Sequence, residues 1–314
     1  MERTLILYES KYGFTEYIAK SLSLILGPAR YCKVSEFKED YKKFSAIVIC
    51  TPVYLESVDK NIIEFVSKNA EWIKQKKVIL LCSCLAKNLA DKYLKPLTDI
   101  LGDSVCLQSY IGGELILSKL SGEDYELMKS FSNKTGFPLN DCKLFDQNAF
   151  VELALNIKKI KDRSSKTLNE RELKVYITDF IKNHNTCALG TGRNVAVRST
   201  PIEYMFIDEC IYIVSEGGEK FANIIINQNV SISIFESYRS MSKLAGMQIA
   251  GVAEIIEIES DEYISVMINR GLNIEEVISL PVALNLIKVH IKKIEFLWSG
   301  FAELGYDTKQ ILDT

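Results

Sequence analysis

Histidine is nearly absent from this chain: only His184 and His290 occur among its 314 residues. Hydrolases that use a nucleophile and a histidine base, and most catalytic metal sites, depend on that residue. Neither histidine stands in a pattern that pairs it with a plausible nucleophile. We therefore expect no histidine-based hydrolase and no metal enzyme.

The chain also lacks an excess of positive charge and any long apolar run. Its formal charge is −3 and its pI is near 5.7, which gives no overall case for nucleic-acid binding. Its apolar runs are all shorter than the roughly 18 residues that cross a bilayer. The sequence after Met1 enters a strand without a signal-peptide core. We expect a soluble, cytoplasmic protein without membrane insertion.

Metal-type cysteine spacings are missing as well. The eight cysteines are spread through apolar segments, as is typical of reduced thiols in a protein core. The closest pair is Cys82 and Cys84, which follows a predicted strand. A single Cys-x-Cys pair is weak evidence for a metal site.

The most informative segment is at the amino terminus, where a buried strand (Thr4–Tyr8) is followed by a short loop and a helix with Ile18, Leu22 and Ile25 at helical spacing. A helix that starts directly after a strand presents free N–H groups and a positive dipole end, which suit an anion. The loop lacks the patterns of a P-loop and of a dinucleotide-binding turn. The alternative interpretation is an ordinary strand-to-helix turn capped by Thr15.

Strands and helices alternate through the first half. Further buried strands are predicted at 46–50, 78–82 and 105–107, with a shorter one near 30–33. This order predicts a doubly wound parallel sheet with helices on both faces. Ligands of such sheets lie beyond the carboxyl ends of the strands, where the loops 10–15, 51–57 and 82–86 would meet.

These three loops resemble those of flavodoxins, in particular the flavodoxin-like domain of menaquinone-dependent protoporphyrinogen dehydrogenases. The resemblance implies that the first loop holds the phosphate of flavin mononucleotide (FMN), that Tyr54 stacks on or flanks the flavin ring, and that the third loop faces the ring edge through its backbone. It thus assigns cofactor-binding roles to Ser10, Lys11, Tyr12, Gly13, Phe14, Thr15, Thr51, Pro52, Tyr54, Ser83 and Cys84. An ordinary half-buried loop tyrosine is the alternative for Tyr54.

The segment 111–138 resembles the insertion that protoporphyrinogen dehydrogenases carry at this point. In that family the insertion is basic and aromatic, whereas this one contains acidic residues: Glu114, Glu123, Asp124 and Glu126. The resemblance therefore supports the fold and FMN more than it supports a porphyrin substrate.

A charged run at 158–167 lacks an apolar period after Ile160 and is typical of a solvated linker. We place the boundary there, with a first domain at 1–162 and a second at 168–314. After a helix near 173–180, the second half contains short alternating strands. Six or seven antiparallel strands predict a closed barrel.

The second half resembles the split barrel of the pyridoxamine 5'-phosphate oxidase family, on the segments 194–204, 217–223 and 229–233. The resemblance implies that Arg198, Ser199, Thr200 and Pro201 lie along the flavin, that Lys220 and Asn223 lie near its phosphate, and that Gln248 contacts the ring. It also implies a homodimer with flavin at the interface. The alternatives are a surface helix lysine for Lys220 and a salt bridge at the strand edge for Arg198.

Together the two resemblances imply an FMN-dependent oxidoreductase with flavin in one or both domains. It would relay electrons between a small-molecule or protein redox partner and a substrate, with the cofactor rather than a side chain as the catalytic group. One alternative is an electron carrier with a single FMN site, in which the other domain is a dimerisation scaffold. A narrower alternative is protoporphyrinogen dehydrogenase activity. For the barrel, a deazaflavin and haem stay open beside FMN.

Overall fold

In a computed structural model, the chain divides into two compact units, the first ending at residue 165 and the second beginning at Lys166. The structure describes residues 3–163 and 166–314. Residues 1, 2, 164 and 165, which include part of the predicted linker and the predicted entry into the first strand, lie outside the described residues.

The first unit contains, in chain order, β1 (Thr4–Tyr8), α1 (Phe14–Ile25), β2 (Ala29–Lys33), β3 (Ala46–Tyr54), β4 (Ser57–Val58), α2 (Lys60–Ile73), β5 (Lys77–Ser83), α3 (Ala90–Leu101), β6 (Val105–Tyr110), β7 (Glu114–Leu115), α4 (Gly122–Thr135), β8 (Cys142–Lys143) and α5 (Gln147–Asp162).

Five parallel strands form the sheet of this unit in the order β2-β1-β3-β5-β6, and β4 folds back antiparallel on β3. Because successive side chains of a buried strand point to opposite faces, each strand supplies two cores. Leu5 and Leu7 pack with α2 and α3, while Ile6 and Tyr8 pack with α1 and α5. The predicted doubly wound sheet is confirmed.

The predicted linker is helical in its first part, because α5 continues to Asp162. Lys161, in its last turn, is only 4% exposed, and its ammonium donates to the carbonyl oxygens of Leu26 (2.7 Å) and Gly27 (2.9 Å). A solvated run was therefore the wrong interpretation here. The side chain of Lys161 satisfies carbonyls at the end of α1, which otherwise lack intrahelical donors.

The second unit contains, in chain order, α6 (Glu170–Lys182), β9 (Thr186–Arg193), β10 (Ala196–Glu203), β11 (Met205–Ile207), β12 (Cys210–Ser215), α7 (Glu219–Ile226), β13 (Asn229–Phe235), β14 (Ala245–Ile256), α8 (Asp261–Asn269), α9 (Ile274–Ser279), β15 (Asn285–Trp298), α10 (Gly300–Glu303) and β16 (Lys309–Asp313).

A curled antiparallel sheet organises the second unit, in the order β10-β9-β13-β14-β15-β12-β11, with β16 added beside β15. Among the described residues the pairing starts at β10 and ends at β11, so the sheet is split rather than closed as the strand count suggested. One core fills its concave side and includes Phe296 and Phe301, whose rings meet edge to face at 5.3 Å. A second core lies under α8 and α9.

A bend in the sheet depends on Gly251. The pairing of β14 with β15 shifts register between Ala250 and Gly251. A Cβ atom at Gly251 would lie 2.6 Å from Cγ1 of Val289 and 2.7 Å from the carbonyl oxygen of His290, closer than real contacts allow. The strands can therefore approach at this bulge only with glycine.

We predict that Gly251→Ala lowers the free energy of unfolding by about 1–3 kcal/mol, because the added methyl must displace backbone. Gly246→Ala on the same strand is the control, since its Cβ would meet Phe235 at an ordinary 3.5 Å. Urea unfolding of both variants measures the difference. Equal stability of the two variants would contradict the role assigned to Gly251.

Candidate functional site

The predicted phosphate loop is a tight turn between β1 and α1. Gly13 has φ +90°, in the left-handed region, and directly precedes the first residue of α1. The Gly13 N–H donates to Oγ of Ser10 at 3.0 Å, and Thr15 is buried. The turn thus places the start of α1, with its free N–H groups, beside Ser10.

Tyr54 lies against this loop. Its hydroxyl oxygen accepts a hydrogen bond from the Lys11 backbone N–H at 3.1 Å, and its ring meets that of Tyr12 edge to face at 6.3 Å. Burial raises the pKa of Tyr54. The predicted flavin-stacking tyrosine therefore bonds one of the N–H groups expected to hold phosphate.

The second predicted loop begins later than the sequence indicated. β3 continues to Tyr54, so Thr51 and Pro52 lie within the strand and pair with Cys82 and Ser83 of β5. Thr51 is fully buried, and its Oγ1 accepts from the Asp59 N–H at 3.2 Å. Thr51 thus supports the start of α2, and its assignment to a loop was wrong.

The third predicted segment lies at the end of β5, beside β6. The Cys84 N–H donates to the carbonyl of Gly112 (3.0 Å), and the Ile111 N–H donates to that of Cys82 (3.1 Å). A Cβ at Gly113 would lie only 2.5 Å from the Cys84 carbonyl oxygen. A hydrogen bond from Cys82 lowers the pKa of the Cys84 thiol to about 7, and the same contact together with burial raises that of Cys82.

The acidic insertion contacts the phosphate loop through Asp124. Its carboxylate forms an ion pair with Nζ of Lys11 at 2.5 Å and accepts a hydrogen bond from the Tyr12 hydroxyl. The Lys11 and Tyr12 contacts hold the pKa of Asp124 below its usual range. Asp124 was named above among the acidic residues of the insertion but was not predicted to be a site residue. The acid-rich composition of the insertion was the available signal, but it does not show which carboxylate reaches the loop.

In the second unit, two cations meet at the turn before α7. Lys220 is 7% exposed, and its Nζ donates to the Gly217 carbonyl at 2.5 Å. The guanidinium of Arg198, on β10, pairs with Glu219 at 2.5 Å. Burial lowers the pKa of Lys220, and the charge of Arg198 lowers it further. The structure therefore brings the predicted residues Arg198 and Lys220 together.

Thr200 leaves a polar atom without a partner. Its Oγ1 is buried and has no hydrogen bond within the described structure, although a buried hydroxyl normally finds one. Ser199 beside it is exposed, and Pro201 pairs with Ala188 of β9. This unpartnered hydroxyl lies two residues from Arg198 on β10.

Asn223 and Gln248 are placed differently from Lys220. The Asn223 amide donates to Oγ1 of Thr191 on β9 at 3.0 Å, and both side chains are buried, so Asn223 holds α7 on the sheet. Gln248 is exposed on β14 and is aligned with Pro201 across β13 and β9. Three strand spacings of about 4.8 Å separate them, so one chain does not bring these two residues together.

An open cavity of about 500 Å³ adjoins the Lys220 turn. It is lined by Val214, Ser215, Glu216, Gly217, Arg270, Leu272 and Leu284. This volume lies in the range of small-molecule sites. The loop between α8 and α9 contributes Arg270 and Leu272 to the lining of this cavity. The sequence did not predict this segment, because its apolar residues are too few to show a clear helical period.

His290 does have a thiol beside it, contrary to the expectation from sequence. Cys210 Sγ lies 4.0 Å from its Nδ1, and the carboxylate of Glu254 lies 2.9 Å from its Nε2. Burial raises the pKa of Cys210, and nearby acids add to this effect, so the thiol is not activated. Glu203 forms an ion pair with Arg270 at 2.6 Å.

Two family models match the chain. The flavodoxin domain model matches residues 5–138, and the pyridoxamine 5'-phosphate oxidase model matches residues 174–298. The chain therefore consists of a flavodoxin-like domain followed by a pyridoxamine 5'-phosphate oxidase-like domain. No curated protein matches the chain.

Solved structures similar to this chain align on part of its length. A putative pyridoxamine 5'-phosphate oxidase from Listeria innocua is 22% identical, with 40% of this chain and 98% of that chain covered and a TM-score of 0.33. General stress protein 26 from Bacillus anthracis is 22% identical over 45% and 98%, with a TM-score of 0.33. The heme storage protein HutZ from Vibrio cholerae is 18% identical over 38% and 90%, with a TM-score of 0.34.

Two features are absent from the described residues. No group of three or more metal-ligating side chains converges in this part of the chain. None of its helices combines the length and apolar character needed to span a bilayer.

We predict that Tyr54→Phe raises the hydrogen-exchange rate of the Lys11 backbone amide about fivefold to tenfold, because the amide loses its acceptor at 3.1 Å. Tyr12→Phe is the matched control, since the Tyr12 hydroxyl bonds Asp124 instead. Exchange followed by NMR or mass spectrometry measures both. An unchanged rate in Tyr54→Phe would show that the hydroxyl does not hold the loop.

Proposed function

We propose that this protein is an FMN-dependent oxidoreductase of the cytoplasm, with one flavin site in the second unit and another in the first. The observation that carries the proposal is the start of α7, where the buried Lys220 lies next to Glu219, the ion-pair partner of Arg198 on β10; the same strand bears the unpartnered hydroxyl of Thr200. All eight cysteines are free, which fits a reducing compartment.

The residues of the second unit fit the phosphate end of FMN. Lys220 has one backbone acceptor for a charge that is largely withdrawn from water, so a dianion at this turn would compensate its desolvation. Gly217 and Gly218 have φ of +139° and +107°, and their lack of side chains leaves the backbone open to a close ligand. Arg198 would bind the phosphate by exchanging its exposed partner Glu219.

The residues along β10 fit the polar edge of the ring. The free Oγ1 of Thr200 can donate to or accept from such an edge. Bound FMN supplies electron transfer in one-electron or two-electron steps. The chain holds and orients it, and the redox partner is a small molecule or a protein.

We further propose that the protein acts as a homodimer through the second unit. Val195 and Val197, at the exposed edge strand β10, are 98% and 86% exposed, and Phe235 is 62% exposed. An open strand edge with apolar side chains is normally covered. Within one chain, Gln248 is too far from β10 to contact the same ring. A second copy would supply its own surface, including its Gln248, to complete the contacts around the ring.

The alternative function is an electron carrier with one FMN, in which one domain serves as a scaffold. A specific observation favours it. In the first unit, Tyr54 bonds the Lys11 N–H, and Asp124 pairs with the Lys11 ammonium, so this loop is less open to phosphate than the turn of the second unit.

We predict that Lys220→Met removes one FMN per chain, because it removes the buried ammonium that bonds the Gly217 carbonyl at that turn. The combined change Ser10→Ala and Thr15→Val should remove the other. Flavin released by denaturation and counted against protein measures both, with the exposed Lys243→Met as control. About two flavins per wild-type chain support the relay and about one supports the carrier. A protein that stays colourless with added FMN would contradict both.

We predict that Val197→Lys shifts the protein from dimer to monomer, because a charge on the exposed edge strand opposes pairing with a second copy. Val175→Lys, at a 56% exposed position of α6, is the control. Sedimentation equilibrium measures the mass. A wild-type chain that sediments as a monomer would exclude the dimer.

A further inference from the structure

The insertion after β6 bears on the phosphate loop of the first unit through one carboxylate. α4 begins after Ser121, whose Oγ accepts from the Asp124 N–H at 3.2 Å. The Ser121 N–H in turn donates to the Tyr12 hydroxyl at 3.3 Å. Asp124 is thereby fixed at the helix start, and its carboxylate contacts Lys11 and Tyr12 from the predicted phosphate loop.

This contact changes the charge of the loop. The side chain of Asp124 is 22% exposed and that of Lys11 is 51% exposed, so the pair is partly shielded from water. Asp124 neutralises the only lysine of the loop and adds a negative charge beside N–H groups that suit an anion. Because the pair is partly shielded from water, the repulsion between this carboxylate and a phosphate dianion is screened less than in bulk solvent. The carboxylate therefore disfavours phosphate at the loop.

Two backbone N–H donors of the predicted phosphate loop also have acceptors within the chain. The Lys11 N–H is held by Tyr54, and the Gly13 N–H is held by Ser10. Phosphate would have to replace these acceptors and approach Lys11 against Asp124. The N–H groups of Lys11 and Gly13 and the Lys11 ammonium are therefore already bonded to other groups of the chain.

We propose that Asp124 is an electrostatic latch that holds the insertion on the phosphate loop and opposes FMN binding in the first unit. Phosphate binding and the Lys11–Asp124 pair are then coupled: release of the latch favours the cofactor, and the cofactor favours release. The proposal rests on the proposed FMN site of this unit and adds its regulation.

The test is Asp124→Asn, which keeps the shape of the side chain and removes its charge. The full-length chain, stripped of flavin and carrying Lys220→Met to silence the second unit, is titrated with FMN by calorimetry. We expect the dissociation constant to fall about threefold to tenfold, the range of a partly exposed ion pair. Asp124→Ser should act in the same direction, and thermal unfolding checks that both variants fold.

Two controls separate the latch from general charge effects. Glu123→Gln removes the same charge from the same turn of α4; Glu123 is exposed and has no ion pair among the described residues. It should change the dissociation constant less than twofold. Riboflavin, which lacks the phosphate, should bind the Asp124→Asn chain and its parent equally.

The outcomes distinguish the latch from the function on which it rests. Equal FMN affinity with and without Asp124, or weaker binding in Asp124→Asn, overturns the latch and leaves the flavin site in place. Failure of both chains to bind FMN overturns the proposed site of the first unit together with the latch. Tighter binding that Glu123→Gln reproduces shows a surface-charge effect and also overturns the latch.

Discussion

A positive charge withdrawn from water is the constraint on which the second unit depends. Lys220 lies on α7, which the buried pair of Asn223 and Thr191 fastens to the sheet. Burial lowers the pKa of Lys220, and the positive charge of Arg198 on β10 lowers it further. A buried charge is costly unless an anion meets it, and this cost supports the flavin site that we propose at the start of α7.

In the predicted phosphate loop of the first unit, the donors and the lysine are paired within the chain. This loop also joins a strand to a helix and also presents N–H groups, but its partners come from within the chain: Tyr54, Ser10 and Asp124. In the second unit, Lys220 bonds only a backbone carbonyl and Arg198 pairs with an exposed glutamate, while the loop of the first unit is paired with the partly buried carboxylate of Asp124. Under the proposed function, the two units would therefore differ in affinity for one cofactor.

Buried strands were predictable because their chemistry is local. The runs at Thr4–Tyr8, 46–50 and 78–82 are mostly apolar and contain no charged residue, and the structure has strands at each of them. Their ends were less predictable. Thr51 and Pro52 look like loop residues, yet they extend β3 because Cys82 and Ser83 of β5 pair with them. Pairing with a partner strand, and not local propensity, decides where a strand ends.

The pairs of residues at the sites were less predictable still. Arg198 and Lys220 were each proposed from resemblance, but their meeting at the start of α7, where Arg198 pairs with Glu219, depends on how α7 packs against β9. Asp124 lies 113 positions from Lys11, and no periodicity connects them. The Cys210–His290 contact likewise arises only because β12 pairs with β15.

The sequence by itself determined the two fold classes and the two turns that precede α1 and α7, since hydrophobic period, glycine placement and strand-to-helix order act over a few residues. Only the tertiary structure decided which turn is left open to a ligand. That outcome depends on side chains distant in sequence, Asp124 and Tyr54 in one unit and Arg198 in the other, and on whether they bring a negative or a positive charge to the turn.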